Sequence, residues 1–227
     1  GDRLLHSVAA MNPPPPAARR AADRPVPLFV LGAPRSGTTF LQQVLNAHPE
    51  VFVTDELRAP AWLVQEAGKL REGRVVHGNP YPLTRGPAFA EYLLANAERV
   101  LLPFYLRQAK RAGKPAIRYW GDKYPHYDEI LDMMPRLFPE ARYVMIHRDL
   151  RDTIVSVMRQ FQWTVEQAAP FVCEIYARYV RTAAQLLGEG TIAPERLLHV
   201  NYLDLNTRAV AEAQRLFAAL GLDAPLL

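Results

Sequence analysis

The fold of this chain is decided by one stretch near its N-terminus, LFVLGAPRSGTT, at residues 28–39. Residues 28–31 form a short continuous apolar run, which is typical of a strand buried in a parallel sheet. A turn bounded by Gly32 and Gly37 follows, and a helix is predicted at residues 38–47. Gly32 permits the tight turn, and Gly37 lets the backbone approach an anion closely. Because a helix N-terminus presents unpaired N–H groups and a positive dipole end, the stretch predicts a phosphate-binding loop.

Apolar runs and helical patterns alternate along the rest of the chain. Further strands are predicted at residues 51–53, 116–120, 143–146 and 197–200. Helices are predicted at residues 58–70, 89–112 (with Pro103 as the candidate break), 127–137, 150–160, 165–187 and 208–220. This alternation predicts an α/β fold of the P-loop type, with a central parallel β-sheet flanked by helices. Ligands of such sheets bind beyond the carboxyl ends of the strands.

Composition excludes several classes of protein. The chain has 227 residues, with 49% hydrophobic and 22% charged residues, which is a globular composition rather than a disordered one. No apolar run approaches the ~18 residues of a membrane-spanning helix. Cys173 is the only cysteine, so an intrachain disulfide and a cysteine-rich zinc site are excluded, and a cytoplasmic location is expected. The net charge of +4 fits any anionic partner.

The chain divides into two parts by composition. Residues 1–25 contain four consecutive prolines and predict an N-terminal Pro-rich arm, and residues 26–227 are expected to form one domain. The Gly- and Pro-rich residues 73–87 predict a loop that serves as a lid or recognises the acceptor.

The phosphate-binding loop departs from the nucleoside-triphosphatase pattern at one decisive place. Thr38 follows Gly37, where a triphosphate-binding Lys is expected, and the basic residue comes earlier, as Arg35. A second anion site is predicted after the strand at residues 143–146. Arg148 lies at that strand's end, and Ser156 follows eight residues later on the next predicted helix, so a guanidinium and a hydroxyl could converge on a second phosphate.

Together the two sites resemble those of the sulfotransferases that use 3′-phosphoadenosine 5′-phosphosulfate. Residues 34–39, Pro-Arg-Ser-Gly-Thr-Thr, are similar to the motif of that family that binds the 5′-phosphosulfate, and Arg148 with Ser156 is similar to its site for the 3′-phosphate. The pattern is most similar to that of tyrosylprotein sulfotransferases and related bacterial enzymes. The resemblance covers about residues 28–205.

The resemblance implies a set of site residues and no requirement for a metal. It implies these residues for binding the nucleotide: Arg35, Ser36, Gly37, Thr38, Thr39, Arg148, Ser156 and Tyr202. It implies Glu56 as general base, with Lys123 and Arg35 as the cations at the transferring sulfuryl group. Sulfuryl transfer resembles phosphoryl transfer in that positioning and electrostatics dominate, so Arg and Lys can supply the charge that a metal would otherwise supply.

Three departures limit what the resemblance carries. Tyrosylprotein sulfotransferases are lumenal, with disulfides and a membrane anchor, so peptide tyrosine is not carried over as the acceptor. A hydroxyl of a small molecule or natural product is expected instead. Gln160 stands where their second motif has another Arg. The family usually closes over the nucleotide with a C-terminal segment. The sequence ends at Leu227, so either that cap is absent or another segment, such as the N-terminal arm, takes its place.

Several alternatives stay open at this point. A P-loop small-molecule kinase and a nucleotide-binding, sulfotransferase-like protein without activity both fit the loop. A nucleic-acid partner is disfavoured because no continuous Lys/Arg patch with interleaved aromatics occurs. Stable membrane insertion is not expected, and a homodimer is compatible with the sequence. His48 is a rival to Glu56 as the base, although its place near a helix end favours a structural role; His126 and His147 are weaker rivals.

Overall fold

The computed structural model describes residues 24–72 and 86–223. The strands in this part of the chain are β1 (Val26–Leu31), β2 (Val51–Asp55), β3 (Tyr119–Lys123), β4 (Arg142–His147) and β5 (Leu197–Asn201). The helices are α1 (Thr38–Asn46), α2 (Ala59–Arg71), α3 (Gly86–Ala95), α4 (Ala97–Arg111), α5 (Met134–Leu137), α6 (Leu150–Phe161), α7 (Val165–Gly188), α8 (Tyr202–Thr207) and α9 (Ala209–Ala219).

The strands form one sheet in the order β2-β3-β1-β4-β5, and every pairing is parallel. In the register of β1, Val30 lies opposite Lys123 of β3 and Val144 of β4. From β1 the chain goes to β2, at one edge of the sheet, and from β3 it crosses to β4, on the other side of β1. The carboxyl ends of β1, β3 and β4 therefore flank a topological switch point, where open α/β sheets bind ligands.

Helices cover both faces of the sheet because β1 is apolar on both. Leu28 and Val30 pack in one cluster with residues of α1, α8 and α9. Phe29 and Leu31 face the opposite cluster, which includes residues of α2 to α5 and of α7. All four side chains are fully buried. The predicted α/β fold with a central parallel sheet is confirmed.

Two predicted helices are divided in the structure. The predicted break at Pro103 is wrong. The helix predicted at 89–112 is interrupted at Asn96, between α3 and α4, and Pro103 lies inside α4. The Asn96 side chain donates to the Tyr92 carbonyl oxygen at 2.8 Å, in competition with the helical ladder. The predicted helix at 127–137 is a short 3-10 turn followed by α5, and Pro135 lies in the first turn of α5, the position that proline favours in a helix.

Strand β3 lies later in the chain than predicted. It spans Tyr119–Lys123 rather than residues 116–120, so Lys123 is its last residue instead of following it. The segment after β5 is helical as α8.

Two predicted segments lie largely outside the described residues. They are the arm at 1–25, of which residues 1–23 are not described, and the loop at 73–87, of which residues 73–85 are not described. The two described residues of the arm contact the domain. Arg24 is paired with Glu98 at 3.0 Å, and the Trp120 indole donates to the Pro25 carbonyl oxygen at 3.1 Å. No helix in the described part of the chain is long and apolar enough to cross a membrane.

Candidate functional site

The two predicted anion sites meet at the carboxyl edge of the sheet. The loop after β1 is joined by one hydrogen bond to Arg148, in the turn between β4 and α6, and by another to Ser156, within α6. Arg148 donates through Nη1 to the Arg35 carbonyl oxygen at 3.0 Å, and Arg35 donates through Nε to Ser156 Oγ at 3.3 Å. Residues 113 positions apart along the chain thus form one basic, hydroxyl-bearing surface. Strand order produces this contact, because β1 and β4 are neighbours.

Tyr202 closes one side of this surface. It begins α8 directly after β5, and its ring lies 4.4 Å from the Arg148 guanidinium carbon in a cation–π contact. Gly37 lies against the same ring with φ of 100°. A Cβ at this position would stand 2.4 Å from Tyr202 Cδ2, so only glycine fits both the backbone conformation and the neighbour.

Two buried polar atoms at this surface have no hydrogen-bond partner among the residues that the structure describes. They are Ser36 Oγ and Arg148 Nε. Helix α1 begins at Thr38 without a side-chain cap, so its first N–H groups are not capped by a side chain either. An unsatisfied buried polar atom costs about 1–3 kcal/mol, and most such atoms in proteins have a partner. These atoms therefore fit a site that an anionic ligand completes.

A cluster of charges lies at the ends of β2 and β3. Lys123 Nζ contacts Asp55 Oδ1 at 2.5 Å and Glu56 Oε1 at 2.7 Å. The Lys123 side chain is 1% exposed, whereas the two carboxylates are about half exposed. The Glu56 N–H donates to the Lys123 carbonyl oxygen at 2.8 Å, so backbone and side chains join the two strand ends together. The buried lysine thereby holds two carboxylates beside the cleft.

The basic surface around Arg35 and Arg148 lines a cleft of about 430 Å³. Of the charge cluster at the ends of β2 and β3, Glu56 lines the same cleft. The cleft is lined by Pro34, Arg35, Gly37, Thr38, Thr39, Phe40, Glu56, Pro125, His126, Arg148, Ser156, Gln160, Phe161, Phe171 and Tyr202. Ser36 and Lys123, the two remaining predicted site residues, are buried beside the cleft. The fold brings all the predicted residues together.

The histidines take different places. Both ring nitrogens of buried His48 are engaged by backbone, since Nδ1 accepts from the Glu50 N–H at 3.1 Å and Nε2 lies 2.8 Å from the Asp223 carbonyl oxygen. His48 therefore has the structural role that its sequence position favoured. His126 lines the cleft. His147 Nε2 lies 2.7 Å from His199 Nδ1, and burial lowers the pKa of both imidazoles, with His199 lowering the pKa of His147 further.

Sequence reasoning missed two features of the site. The contact between Asp55 and Lys123 depends on the register of β2 against β3, which no local pattern reports. Phe161 and Phe171 form part of the cleft wall from α6 and α7. Phe161 is the last residue of α6, the helix that carries Ser156. Its closeness to Ser156 in the sequence was the signal that could have placed it at the site.

The model of the family described as "Sulfotransferase family" matches residues 27–225. The chain belongs to the sulfotransferase family. The match spans all five strands and every predicted site residue, and it favours sulfuryl transfer over the phosphoryl transfer of a small-molecule kinase. Among the described residues no group of three or more His, Cys, Asp or Glu side chains is placed to hold a metal ion.

Individual relatives agree with this assignment. The nodulation protein NoeE of Sinorhizobium fredii is 29% identical over 230 residues, which cover 91% of this chain and 52% of that protein. Protein-tyrosine sulfotransferase 1 of Danio rerio is 30% identical over 137 residues, covering 60% of this chain and 36% of that protein. This chain thus matches about half, or less, of each relative's length.

Solved structures share the fold. The sulfotransferase domain of the Synechococcus PCC 7002 olefin synthase superposes with a TM-score of 0.57 at 24% identity, over 88% of this chain and 75% of that one. The sulfotransferase of Alicyclobacillus acidocaldarius superposes with a TM-score of 0.56 at 14% identity, over 90% of this chain and 83% of that one.

Proposed function

We propose that this chain transfers a sulfuryl group from 3′-phosphoadenosine 5′-phosphosulfate to a hydroxyl of a small-molecule or natural-product acceptor. The observation that carries the proposal is the shared cleft. Two anion anchors from different strands and the ion-paired Glu56 line the same cavity. A donor with two phosphate positions and a reaction that removes a proton need this combination of groups.

The residues present fit the donor nucleotide. The loop at 35–39 would hold the 5′-phosphosulfate through its N–H groups and hydroxyls, and Arg148 with Ser156 would hold the 3′-phosphate. The unpartnered Ser36 Oγ and Arg148 Nε are the atoms that such a ligand would satisfy. Tyr202 offers a ring face beside Arg148. When bound, the donor supplies an activated sulfuryl group.

Glu56 is the proposed general base. Its carboxylate lines the cleft, is about half exposed and can accept a proton from an acceptor hydroxyl. Lys123 holds that carboxylate in place and keeps a buried positive charge at the strand end, where negative charge is expected to develop. Arg35, which also lines the cleft, brings a second cation.

The cleft supports a hydroxylated acceptor with apolar or aromatic surface. Phe161, Phe171 and Pro125 give its wall an apolar part. Aromatic side chains bind flat apolar groups well. A protein tyrosine, the acceptor named for the relative from Danio rerio, is the alternative that the assay below distinguishes.

The test combines product analysis with one substitution. The protein is incubated with the donor and a panel of phenols, sugars, aliphatic alcohols and a tyrosine-containing peptide, and products are examined by mass spectrometry for the added sulfuryl group. Glu56→Gln should lower kcat by about 10²–10⁴-fold, the usual contribution of a general base. The matched control is Glu66→Gln on α2, because Glu66 forms a similar 2.6 Å pair with Lys69 away from the cleft.

Two results would each refute one part of the proposal, the first the reaction and the second the role of Glu56. One is the absence of sulfated product from every acceptor class by a folded protein. The other is full turnover by the Glu56→Gln variant, which would remove Glu56 from the role of base while leaving the reaction itself in place.

A further inference from the structure

A buried carboxylate lies directly beneath the turn that carries Glu56. Asp122, in β3, is fully buried and accepts four hydrogen bonds. Its Oδ1 accepts from Thr54 Oγ1 at 2.7 Å and from the Leu57 N–H at 3.1 Å. Its Oδ2 accepts from the Arg58 N–H at 2.8 Å and from the Tyr127 hydroxyl at 2.8 Å. Two of the four donors are consecutive backbone groups of the turn after β2.

That turn has an unfavourable backbone conformation. Glu56 has φ of 53° and Arg58 has φ of 62°, so two non-glycine residues lie in the left-handed region. This conformation is unfavourable for a non-glycine residue and persists only where its surroundings determine it. The two N–H groups bound by Asp122 belong to Leu57, which lies between these two residues, and to Arg58 itself. The carboxylate is therefore placed to hold the conformation that orients Glu56.

The geometry requires a carboxylate rather than an amide at this position. Each oxygen of Asp122 accepts from a backbone N–H, and a backbone N–H can only donate. Asparagine would direct its NH₂ group at one of these N–H groups in either orientation. Burial raises the pKa of Asp122, and the four hydrogen bonds act in the opposite direction because they favour the charged form.

We propose that Asp122 is a positioning residue, whose buried carboxylate fixes the turn at residues 56–58 so that Glu56 stands beside Lys123 at the cleft. Asp122 does not line the cleft, so it acts through Glu56 rather than on the reacting groups. The inference rests on the proposed function for the role of Glu56. Its structural part, the control of the turn, stands on the hydrogen bonds alone.

The structural part is tested by amide hydrogen exchange on the Asp122→Asn variant. We expect faster exchange at the Leu57 and Arg58 amides, with little change in the phosphate-binding loop at residues 32–39, which lies after another strand. The control is Asp132→Asn, the same chemical change at an exposed aspartate. Unchanged protection at both amides in folded Asp122→Asn protein would overturn the proposal, whatever reaction the chain catalyses.

The kinetic part separates positioning from a general loss of structure. Displacing a reacting group by about 1 Å can cost 10²-fold in rate. We therefore expect Asp122→Asn to lower kcat by about 10–100-fold. The donor KM and the affinity for 3′,5′-adenosine bisphosphate should stay near their original values, because the hydrogen bonds of Arg35, Arg148 and Ser156 within the described part of the chain do not involve this turn. A parallel loss of bisphosphate affinity and kcat would contradict a positioning role.

A double-mutant cycle tests whether the effect passes through Glu56. In the Glu56→Gln background, Asp122→Asn should cost much less than in the original protein, since there is no base left to misplace. Multiplicative losses would show that Asp122 acts elsewhere. An original protein without any sulfuryl-transfer activity would instead refute the proposed function and leave the exchange result to decide the role of Asp122 in the turn.

Two milder variants keep the test valid if Asp122→Asn does not fold. Thr54→Val and Tyr127→Phe each remove one side-chain donor to Asp122 and leave both backbone donors. Each should lower kcat by about twofold to fivefold, a fraction of the effect of one hydrogen bond to a charged group, because both backbone donors remain; the bisphosphate affinity should not change. Unchanged kcat in both variants would count against the proposal.

Discussion

The two ends of the cleft treat their charges in opposite ways. At the anion end, defined by Arg35, Ser36, Arg148 and Tyr202, buried polar atoms lack partners and a helix N-terminus has no side-chain cap. At the carboxylate end, defined by Asp55, Glu56 and Lys123, the buried lysine is already paired with both carboxylates. We therefore propose that a ligand completes the anion end, whereas the charges of the carboxylate end are already paired.

This difference indicates how binding and chemistry are divided. Unsatisfied donors favour an anionic ligand because the ligand removes a desolvation cost that the free protein bears. A self-paired cluster has no such gain from binding a ligand, but it keeps its groups oriented before the acceptor arrives, which is the condition for electrostatic preorganisation. Substitutions at the anion end should therefore change affinity, and those at the carboxylate end should change turnover.

The largest expected effect contrasts one cation from each end. Lys123→Ala removes the buried positive charge at the carboxylate end and should lower kcat by about 10²–10³-fold, as the loss of one preorganised donor does. The affinity for 3′,5′-adenosine bisphosphate should remain nearly unchanged, because Asp55 and Glu56 are the charged side chains that Lys123 contacts within residues 24–72 and 86–223. Steady-state kinetics and calorimetric titration measure the two quantities.

The reciprocal control is Arg148→Ala at the anion end. It should weaken bisphosphate binding by roughly 10–100-fold, the value of one to two charge-assisted hydrogen bonds. Equal losses of affinity in both variants would show that the two ends are not separate in function.

A smaller effect is expected on stability from two glycine substitutions. Gly37 and Gly113 both have positive φ, 100° and 79°, but only Gly37 has a neighbour, since nothing lies within 4 Å of a Cβ at Gly113. Gly113→Ala should lower the free energy of unfolding by about 1–2 kcal/mol through backbone strain alone. Gly37→Ala adds the clash with Tyr202 and should cost roughly 2–4 kcal/mol in total.

Denaturant unfolding measures both free energies, and bisphosphate titration shows whether the cost of Gly37→Ala falls on the site. Gly113→Ala should keep the original affinity, whereas Gly37→Ala should lose it because Tyr202 and the loop cannot both keep their positions. Equal free-energy losses with unchanged affinity in both variants would mean that the contact between Gly37 and Tyr202 does not constrain the anion end.

The smallest effect concerns pH and the imidazole pair beside the anion end. Burial lowers the pKa of His147 and His199 in the folded protein below the ordinary value near 6.5. Between the folded and unfolded pKa values the unfolded chain binds more protons, so stability rises with pH there. The free energy of unfolding should therefore fall as the pH falls through about 6.5.

The His199→Gln variant checks this assignment. It removes one of the two titrating rings and leaves the contact of His147 with the Tyr176 hydroxyl at 3.2 Å. The difference in unfolding free energy between about pH 7.5 and about pH 5.5 should be smaller in the variant. The same difference in both proteins would place the pH dependence elsewhere in the chain.

Much of the fold followed from local patterns, and the exceptions share a cause. The buried run at residues 28–31, the glycine loop and the alternation of strands and helices are local, and they predicted the α/β class. The boundaries at Asn96 and Pro135 depend on which element end best accommodates an asparagine side chain or a proline ring. Helical periodicity of the flanking residues does not report that choice.

The site divides in the same way. Spacing after strands pointed to Arg35, Arg148 and Ser156, because the carboxyl ends of parallel strands meet at one edge of the sheet. Glu56 was implied by the family resemblance. Their roles remain proposals. Sequence did not indicate Asp122, because the strand was predicted at residues 116–120 and only the structure extends it to Lys123, which makes Asp122 a buried strand residue.

By itself, the sequence determined the phosphate-binding loop, the parallel α/β class and the residues able to hold anions, since each of these lies within a few consecutive positions. Tertiary structure alone decided which charges meet. The register of β2 against β3 sets Thr54 opposite Asp122 and Asp55 opposite Lys123. Thr54 and Asp122, which are 68 positions apart, thereby become hydrogen-bonded, and so do Glu56 and Lys123, which are 67 positions apart. The pairing energy of two strands is distributed over both of them and their packing on the core, so no local pattern specifies it.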